Sequence, residues 1–222
     1  RLRWKKRGAA VPARGGLLCL DFPHGTLVLT EASKKKKASL HLIRGEAALA
    51  PFRRTGVELF DGTEEAFVSA FTRRRHTLKR ALTDPNIVSG VGNAYSDEIL
   101  HRARLSPVSM TTSLSASELS HLWHSCRAVL SEWTERFRQE VGVGFPDKVT
   151  AFRPEMAVHG KFKSPCPVCE TAIQRILYAS RETNYCPRCQ TGGKLLADRA
   201  LSQLLKKDWP KTIDELENRL SS

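Results

Sequence analysis

The stretch that decides the fold of the C-terminal region reads Cys166-Pro-Val-Cys169, then residues 170–185, then Cys186-Pro-Arg-Cys189. A Cys-x-x-Cys motif bends the backbone so that both sulfurs face one point, and two such motifs close a tetrahedron around a metal ion. We therefore predict one structural Zn²⁺ held by Cys166, Cys169, Cys186 and Cys189, with no open coordination position for catalysis. A disulfide pair and a redox Cys-x-x-Cys motif are the alternatives.

The residues between the two motifs favour a β-hairpin. Residues 172–178 are apolar and β-prone, and residues 181–185 return the chain to the second motif. The hairpin and the metal together predict a zinc finger.

Charge points to a polyanionic partner. The 222 residues carry 36 Lys and Arg against 23 Asp and Glu, a formal net charge of +13 and a pI near 9.8. A net positive charge of this size attracts phosphate backbones. A basic protein whose charge serves only solubility is the alternative. The length allows one large domain or two small ones.

The two cysteines outside the motifs, Cys19 and Cys126, lie among apolar neighbours, and we predict buried free thiols. Free thiols beside a zinc-thiolate site indicate a reducing, intracellular compartment. No apolar run reaches membrane-spanning length, and no signal peptide is visible.

Short β-rich runs fill the first part of the chain. We predict strands at 17–22, 25–32 and 39–44, with a tight turn at Pro23-His24-Gly25. The run Lys34–Lys37 interrupts this pattern, either as a solvated loop or as a loop that faces phosphates.

From Thr63 the period changes to that of helices. Thr63 suits the start of a first helix, and Asp84-Pro85 ends the helical run that follows. Ser115 with Glu118 forms a capping box at the start of a long helix, whose apolar stripe places Trp123 and Trp133 in the core. A second capping box, Thr212 with Glu215, begins a terminal helix.

Residues 86–93 connect two helices and contain Gly90, Gly92 and Asn93. The glycines let the backbone approach a partner, and amides at a helix start beside a carboxamide suit one phosphate. A plain connection between two helices is the alternative reading.

The run 90–98, Gly-Val-Gly-Asn-Ala-Tyr-Ser-Asp-Glu, together with the cysteine motifs, closely resembles the bacterial formamidopyrimidine-DNA glycosylase and endonuclease VIII family. The resemblance extends from Arg1 to Gln190. It implies an α+β fold with a partial N-terminal β-sandwich, a helix–two-turn–helix domain and a C-terminal zinc-finger β-hairpin with a helical tail. We expect these regions at 1–60, 61–150, 151–190 and 191–222.

The resemblance also implies DNA-binding residues. Asn93, within the glycine-containing two-turn signature formed with Gly90 and Gly92, matches the family's phosphate-holding Asn. Arg181 matches the hairpin-tip Arg that clamps phosphates around the everted nucleotide. Three lysines complete the expected set: Lys79 before the two-turn element, Lys36 where the family has its wedge, and Lys161 at the entry to the finger.

Members of this family flip a damaged nucleotide out of the duplex. An N-terminal proline amine then attacks the deoxyribose C1′, aided by a glutamate, and the Schiff base permits strand cleavage. The resemblance thus implies a base-excision repair glycosylase with AP-lyase activity on oxidised bases of the formamidopyrimidine or 8-oxoguanine type. We expect a monomer in the bacterial cytoplasm, associated with the nucleoid through duplex DNA that contains damaged bases or abasic sites.

Three departures from the family pattern accompany the resemblance. Arg1-Leu2-Arg3-Trp4 matches a strand inside the first domain, so the Pro-Glu start is absent; we expect a fragment or incomplete gene model that is inactive as given. The family's aromatic wedge falls on Lys35–Ala38, which contains no aromatic residue. About thirty residues follow the finger, which we interpret as a helical addition that caps the core.

Two hypotheses stand beside the enzyme. The first is a non-catalytic module that binds damaged DNA. The second, more remote, is a protein with an RNA or ribosomal partner. Oxidised purines are the expected lesions, followed by oxidised pyrimidines.

Overall fold

The computed structural model describes residues 1–32, 37–146, 150, 152–178, 181–197 and 209–221. The chain divides into two compact units, Arg1–Arg53 with Thr134–Ala151 and Arg54–Trp133 with Phe152–Ser222. Strands and helices are both present, which confirms the predicted α+β class. Among the described residues, no helix combines the length and the apolar character that crossing a membrane requires.

The first unit contains a three-stranded antiparallel sheet in the order β1-β3-β2. The predicted turn at Pro23-His24 joins β2 to β3, and Gly25 follows it. A Cβ atom at Gly25 would lie 2.5 Å from the Trp4 indole, so only glycine fits beside that ring. Trp4 stacks on Phe22 with ring centroids 5.7 Å apart. The strands are β1 Leu2–Lys5, β2 Gly16–Phe22 and β3 Gly25–Thr30.

The strand predicted at 39–44 is wrong. Residues 37–43 have no regular structure, and a 3₁₀ helix, Glu46–Phe52, follows. Leu40 and Leu42 are 77% and 101% exposed, so the two leucines of this segment contribute little to a core. A β-rich run becomes a strand only where a neighbouring strand accepts its hydrogen bonds, and this run has no such neighbour among the described residues.

Four helices form the core of the second unit. Thr63 caps the first, because its hydroxyl accepts a hydrogen bond from the Ala66 amide at 3.2 Å. The capping box predicted at Ser115 is present, with the Ser115 amide donating to Glu118 Oε2 at 2.8 Å and the Glu118 amide donating back to Ser115 Oγ at 3.3 Å. The helices are α1 Glu64–Thr72, α2 Leu78–Leu82, α3 Asn93–Arg102 and α4 Ala116–Val141.

Aromatic packing joins α1 to α4, as the apolar stripes predict. Phe67 lies between Phe71 and Trp123, with ring centroids 5.0 and 5.3 Å away. Trp123 and Trp133 are buried, which confirms their predicted place in the core. Cys126 is also buried, and burial raises the pKa of its thiol. Cys19 is only half-buried, since it lies on a sheet that is partly open to solvent.

The described C-terminal part of the second unit contains a hairpin, a short helix and the terminal helix. Thr212 pairs with Lys194 beyond the second cysteine motif, and Ile213 behind it is fully buried. The Glu215 amide donates to the Thr212 hydroxyl at 3.2 Å, which confirms this helix start. The elements are β4 Gln174–Tyr178, β5 Arg181–Tyr185, α5 Pro187–Thr191 and α6 Ile213–Ser221.

A four-cysteine metal centre and a candidate nucleic-acid interface

The four cysteines of the two motifs converge as predicted. Their sulfur atoms all lie within 4.8 Å of one another, with Cys166 and Cys186 buried and the other two half-buried. Three of the sulfur pairs are 3.4, 3.5 and 3.9 Å apart. A tetrahedron with Zn–S bonds of about 2.3 Å has edges of about 3.8 Å. The spacing fits zinc and excludes disulfides, whose sulfurs are about 2.0 Å apart.

The pKa values of the sulfurs are shifted in opposite directions. Burial disfavours the thiolate of Cys169, but hydrogen bonds from Thr171, Cys186 and Cys189 together outweigh it and lower the pKa of Cys169 to about 6. Burial raises the pKa of Cys189 to about 11. Because zinc binds thiolates, loading of the site releases protons and contributes free energy to folding of the finger.

A histidine from outside the finger contacts one of the sulfurs. His101 Nε2, in the last turn of α3, lies 3.3 Å from Cys166 Sγ, and both residues are buried. Burial lowers the pKa of His101, which favours the neutral ring, and the tautomer with its proton on Nε2 would donate to the sulfur. A donor to a zinc-bound thiolate spreads the negative charge of the ligand.

The two-turn bend and the hairpin meet through Asn93. Its Nδ2 donates to the main-chain oxygen of Glu182 at 2.9 Å, one residue after Arg181 in β5. Gly90 has φ +80°, which only glycine adopts readily, and a Cβ atom added at Gly90 or Gly92 would meet nothing within 4 Å. The bend is therefore open to solvent beside the strand that contains Arg181. The Arg181 side chain and Lys36 lie outside the described residues.

Lys79 has protein partners. Its Nζ donates to Asp97 Oδ1 at 2.5 Å and to the Asn93 main-chain oxygen at 2.6 Å. Burial lowers the pKa of this ammonium, and the Asp97 carboxylate partly opposes the shift. Lys79 thus contacts Asn93, and its ammonium forms an ion pair within the protein, with Asp97. Lys161 likewise donates to the Pro154 main-chain oxygen at 2.7 Å.

Two buried acids that the sequence analysis did not single out join α3 to the finger. Glu98 accepts hydrogen bonds from the amides of Ala157, Val158 and His159 at 2.8 to 2.9 Å. Asp97 accepts from His159 Nδ1 at 2.7 Å in addition to Lys79. Three charge-assisted hydrogen bonds from main-chain amides to one carboxylate hold the backbone at the entry to the finger.

These residues left a signal in the sequence. Ala94, Asp97, Glu98 and His101 follow the i, i+3, i+4, i+7 spacing of one helix face, and all four are buried. A polar stripe at core spacing indicates specific partners, since buried charges are paired. The sequence shows this periodicity. It does not show the residues at the entry to the finger that bind Asp97 and Glu98, because these lie about sixty residues further along the chain.

Comparison with known families agrees with this geometry. Residues 58–142 match the family described as "Formamidopyrimidine-DNA glycosylase H2TH domain", and residues 163–192 match "Zinc finger found in FPG and IleRS". The first match includes Asn93, and the second includes the four cysteines.

Among relatives, an "Uncharacterized formamidopyrimidine-DNA glycosylase-like protein" of Mycobacterium tuberculosis is 37% identical over 154 residues, which are 69% of this chain and 96% of that protein. The formamidopyrimidine-DNA glycosylase of Shouchella clausii is 32% identical over 168 residues, which are 73% of this chain and 61% of the enzyme. This chain therefore spans about three fifths of that enzyme's length.

The fold is also that of a solved structure. A Lactococcus lactis formamidopyrimidine-DNA glycosylase, non-covalently bound to DNA containing an AP site, superposes with a TM-score of 0.68 at 23% identity. The match covers 86% of this chain and 70% of that one. The two matched domains and the M. tuberculosis relative show that the chain belongs to the formamidopyrimidine-DNA glycosylase and endonuclease VIII family.

Proposed function

We propose that this chain docks duplex DNA that contains damaged bases or abasic sites, as part of a base-excision repair glycosylase with AP-lyase activity on oxidised bases of the formamidopyrimidine or 8-oxoguanine type. The observation that carries the proposal is the hydrogen bond from Asn93 Nδ2 to the Glu182 main-chain oxygen. It joins the two-turn bend to the finger strand, so that one surface includes residues from the proposed DNA-binding regions 61–150 and 151–190.

The bend is suited to one phosphate. Asn93 begins a ten-residue helix, so its N-terminal amides carry partial positive charge. The Asn93 carboxamide has two N–H groups, of which one is used by Glu182, and the other is available for a phosphate oxygen. The open glycines allow a backbone to approach, and Arg181 adds the cation expected on the strand side.

Lys79 and the zinc centre hold the backbone that carries this surface. The Lys79 ammonium holds the Asn93 main-chain oxygen, so we assign Lys79 to positioning the phosphate site. Zinc fixes the two cysteine motifs at the base of the hairpin, and Arg181 lies at the start of the returning strand. The metal acts structurally, because all four ligands come from the protein.

The docking surface is tested by fluorescence anisotropy with a duplex that contains an abasic-site analogue. We expect Asn93→Ala combined with Arg181→Ala to weaken binding by at least about tenfold, since each residue makes a charged or charge-assisted phosphate contact. Arg188→Ala in the same finger is the matched control, because Arg188 already pairs with Asp214 at 2.6 Å. Unchanged affinity of the double variant would refute the surface.

The enzymatic part of the proposal is tested by borohydride trapping on abasic DNA. Residue 1 of the polypeptide is arginine, so we expect no adduct from residues 1–222 and an adduct once a family segment that begins with proline is joined to them. No adduct from the joined protein, with DNA affinity retained, would favour the non-catalytic binding module instead. Structured RNA as competitor separates the ribosomal alternative from both.

A further inference from the structure

The segment between α1 and α2 contains three consecutive arginines, Arg73, Arg74 and Arg75, here called the arginine loop. All three are exposed. None of their side chains has a hydrogen bond or ion pair within the described parts of the chain. Other cations of this unit are paired, for example Lys79 with Asp97 and Arg102 with Glu132. Within the described residues, the arginine loop is a cluster of three adjacent cations without protein partners.

The backbone of the arginine loop is fixed. Thr111, which is fully buried, donates from Oγ1 to the Arg74 oxygen at 2.7 Å. Its amide donates to the His76 oxygen at 2.9 Å, and the His76 amide donates back to the Thr111 hydroxyl at 3.3 Å. A loop held by three hydrogen bonds to one buried residue presents its side chains from defined positions, which lowers the entropy lost on binding.

The arginine loop lies close in the chain to the proposed phosphate site. Arg75 lies four positions before Lys79, whose Nζ touches the Asn93 oxygen. Four residues span at most about 14 Å. Each strand of a duplex presents a phosphate every 3.4 Å or so along the axis, so about four base-pair steps cover that distance.

We propose that the arginine loop is a second phosphate-binding surface, which contacts the DNA backbone beside the lesion and adds affinity without adding lesion selectivity. This inference rests on the proposed DNA docking and extends it. Guanidinium groups bind phosphates in a bidentate manner, and backbone contacts position a protein without reading bases. The loop thus contributes equally to intact and damaged duplexes, whereas Asn93 and Arg181 serve the site of damage.

The test is the salt dependence of binding to matched duplexes with and without an abasic-site analogue, between about 50 and 200 mM KCl. The loop variant changes Arg73, Arg74 and Arg75 to Gln. Three lost contacts reduce the slope of log K against log salt by about 2 to 3, at about 0.9 per phosphate. We expect affinity near 50 mM salt to fall at least about tenfold on both duplexes, with their ratio unchanged.

A matched control removes the same charge elsewhere in the unit, with Arg54, Lys194 and Lys211 each changed to Gln; all three are exposed. An equal loss of slope in the control, or an unchanged slope in the loop variant, overturns the inference. A variant with lysine at the three loop positions is expected to keep most of the slope. Zinc content and the urea midpoint should be unchanged, since the loop is held by its backbone.

The Asn93→Ala/Arg181→Ala double variant separates this inference from the proposed function. If the loop variant alone keeps its affinity for DNA, the proposed role of the arginine loop is refuted and the docking surface stands. If the double variant alone keeps its affinity, the docking surface fails and the arginine loop remains a DNA contact.

Discussion

Substitution of Asp97 tests how the buried cluster supports the protein. The Asp97 side chain is fully buried, and its partners Lys79 and His159 are 13% and 5% exposed. Asp97→Ala leaves a buried ammonium with only the Asn93 oxygen and leaves His159 Nδ1 without its acceptor. Removal of one partner from a buried pair costs about 3–5 kcal/mol. Because Lys79 keeps one acceptor and some contact with solvent, we expect about 3 kcal/mol.

That loss corresponds to a change of about 150-fold in the folding equilibrium. Urea unfolding of the zinc-loaded protein, followed by tryptophan fluorescence, measures it. With a slope of about 1–3 kcal/mol per molar, the midpoint should fall by about 1–3 M. The control is Glu132→Ala, which breaks the exposed ion pair with Arg102 and should cost about 1 kcal/mol or less.

The refuting result is a loss for Asp97→Ala no larger than that for Glu132→Ala. A double-mutant cycle with Lys79→Met separates the pair from the rest of the cluster. If Asp97 and Lys79 stabilise each other, the two losses are not additive. Additive losses would show that Asp97 acts mainly through His159 and Asn184.

Three further predictions concern single contacts. His101→Phe removes the donor to Cys166 and should weaken zinc binding about 10–100-fold in competition with a chelator, whereas His101→Gln, which keeps an N–H, should retain most of the affinity. Ile213→Ala leaves a cavity behind a fully buried side chain and should speed hydrogen exchange at its own amide, which donates to the Gly193 oxygen; unchanged exchange would contradict packing of the terminal helix on the finger. Ser115→Ala should lower the free energy of unfolding by about 1 kcal/mol, measured with urea, and Ser115→Asp should restore it.

Local rules predicted the local features. The cysteine spacing predicted the metal cluster, because each motif needs only its own backbone to aim two sulfurs. Thr63, Ser115 and Thr212 were predicted as helix caps from neighbouring residues, and all three accept or donate the expected hydrogen bonds. The strand predicted at 39–44 failed because pairing depends on a partner outside the segment.

The partners of Lys79 illustrate what the sequence could not supply. The DNA contact of Lys79 stays a prediction, and its ammonium binds Asp97, eighteen residues further along the chain. Glu98 finds its three amides about sixty residues away. Such pairs depend on how α3 packs against the finger. The local sequence pattern does not indicate whether a charged side chain faces solvent, DNA or a partner far along the chain.

The neighbouring acids Asp97 and Glu98 have a consequence for how such proteins can be recombined. Among the described residues, the hydrogen bonds to the Glu98 carboxylate come from main-chain amides, so we expect Glu98 to accept a finger whose entry follows the same path, whatever its side chains. Asp97 instead accepts hydrogen bonds from finger side chains, His159 Nδ1 at 2.7 Å and Asn184 Nδ2 at 3.5 Å, so we expect it to discriminate between fingers. A finger grafted from a relative should therefore be tolerated only if it brings its own histidine or is transferred together with α3. We therefore expect α3 and the finger to be exchangeable only as one segment, with both junctions placed outside residues 93–192.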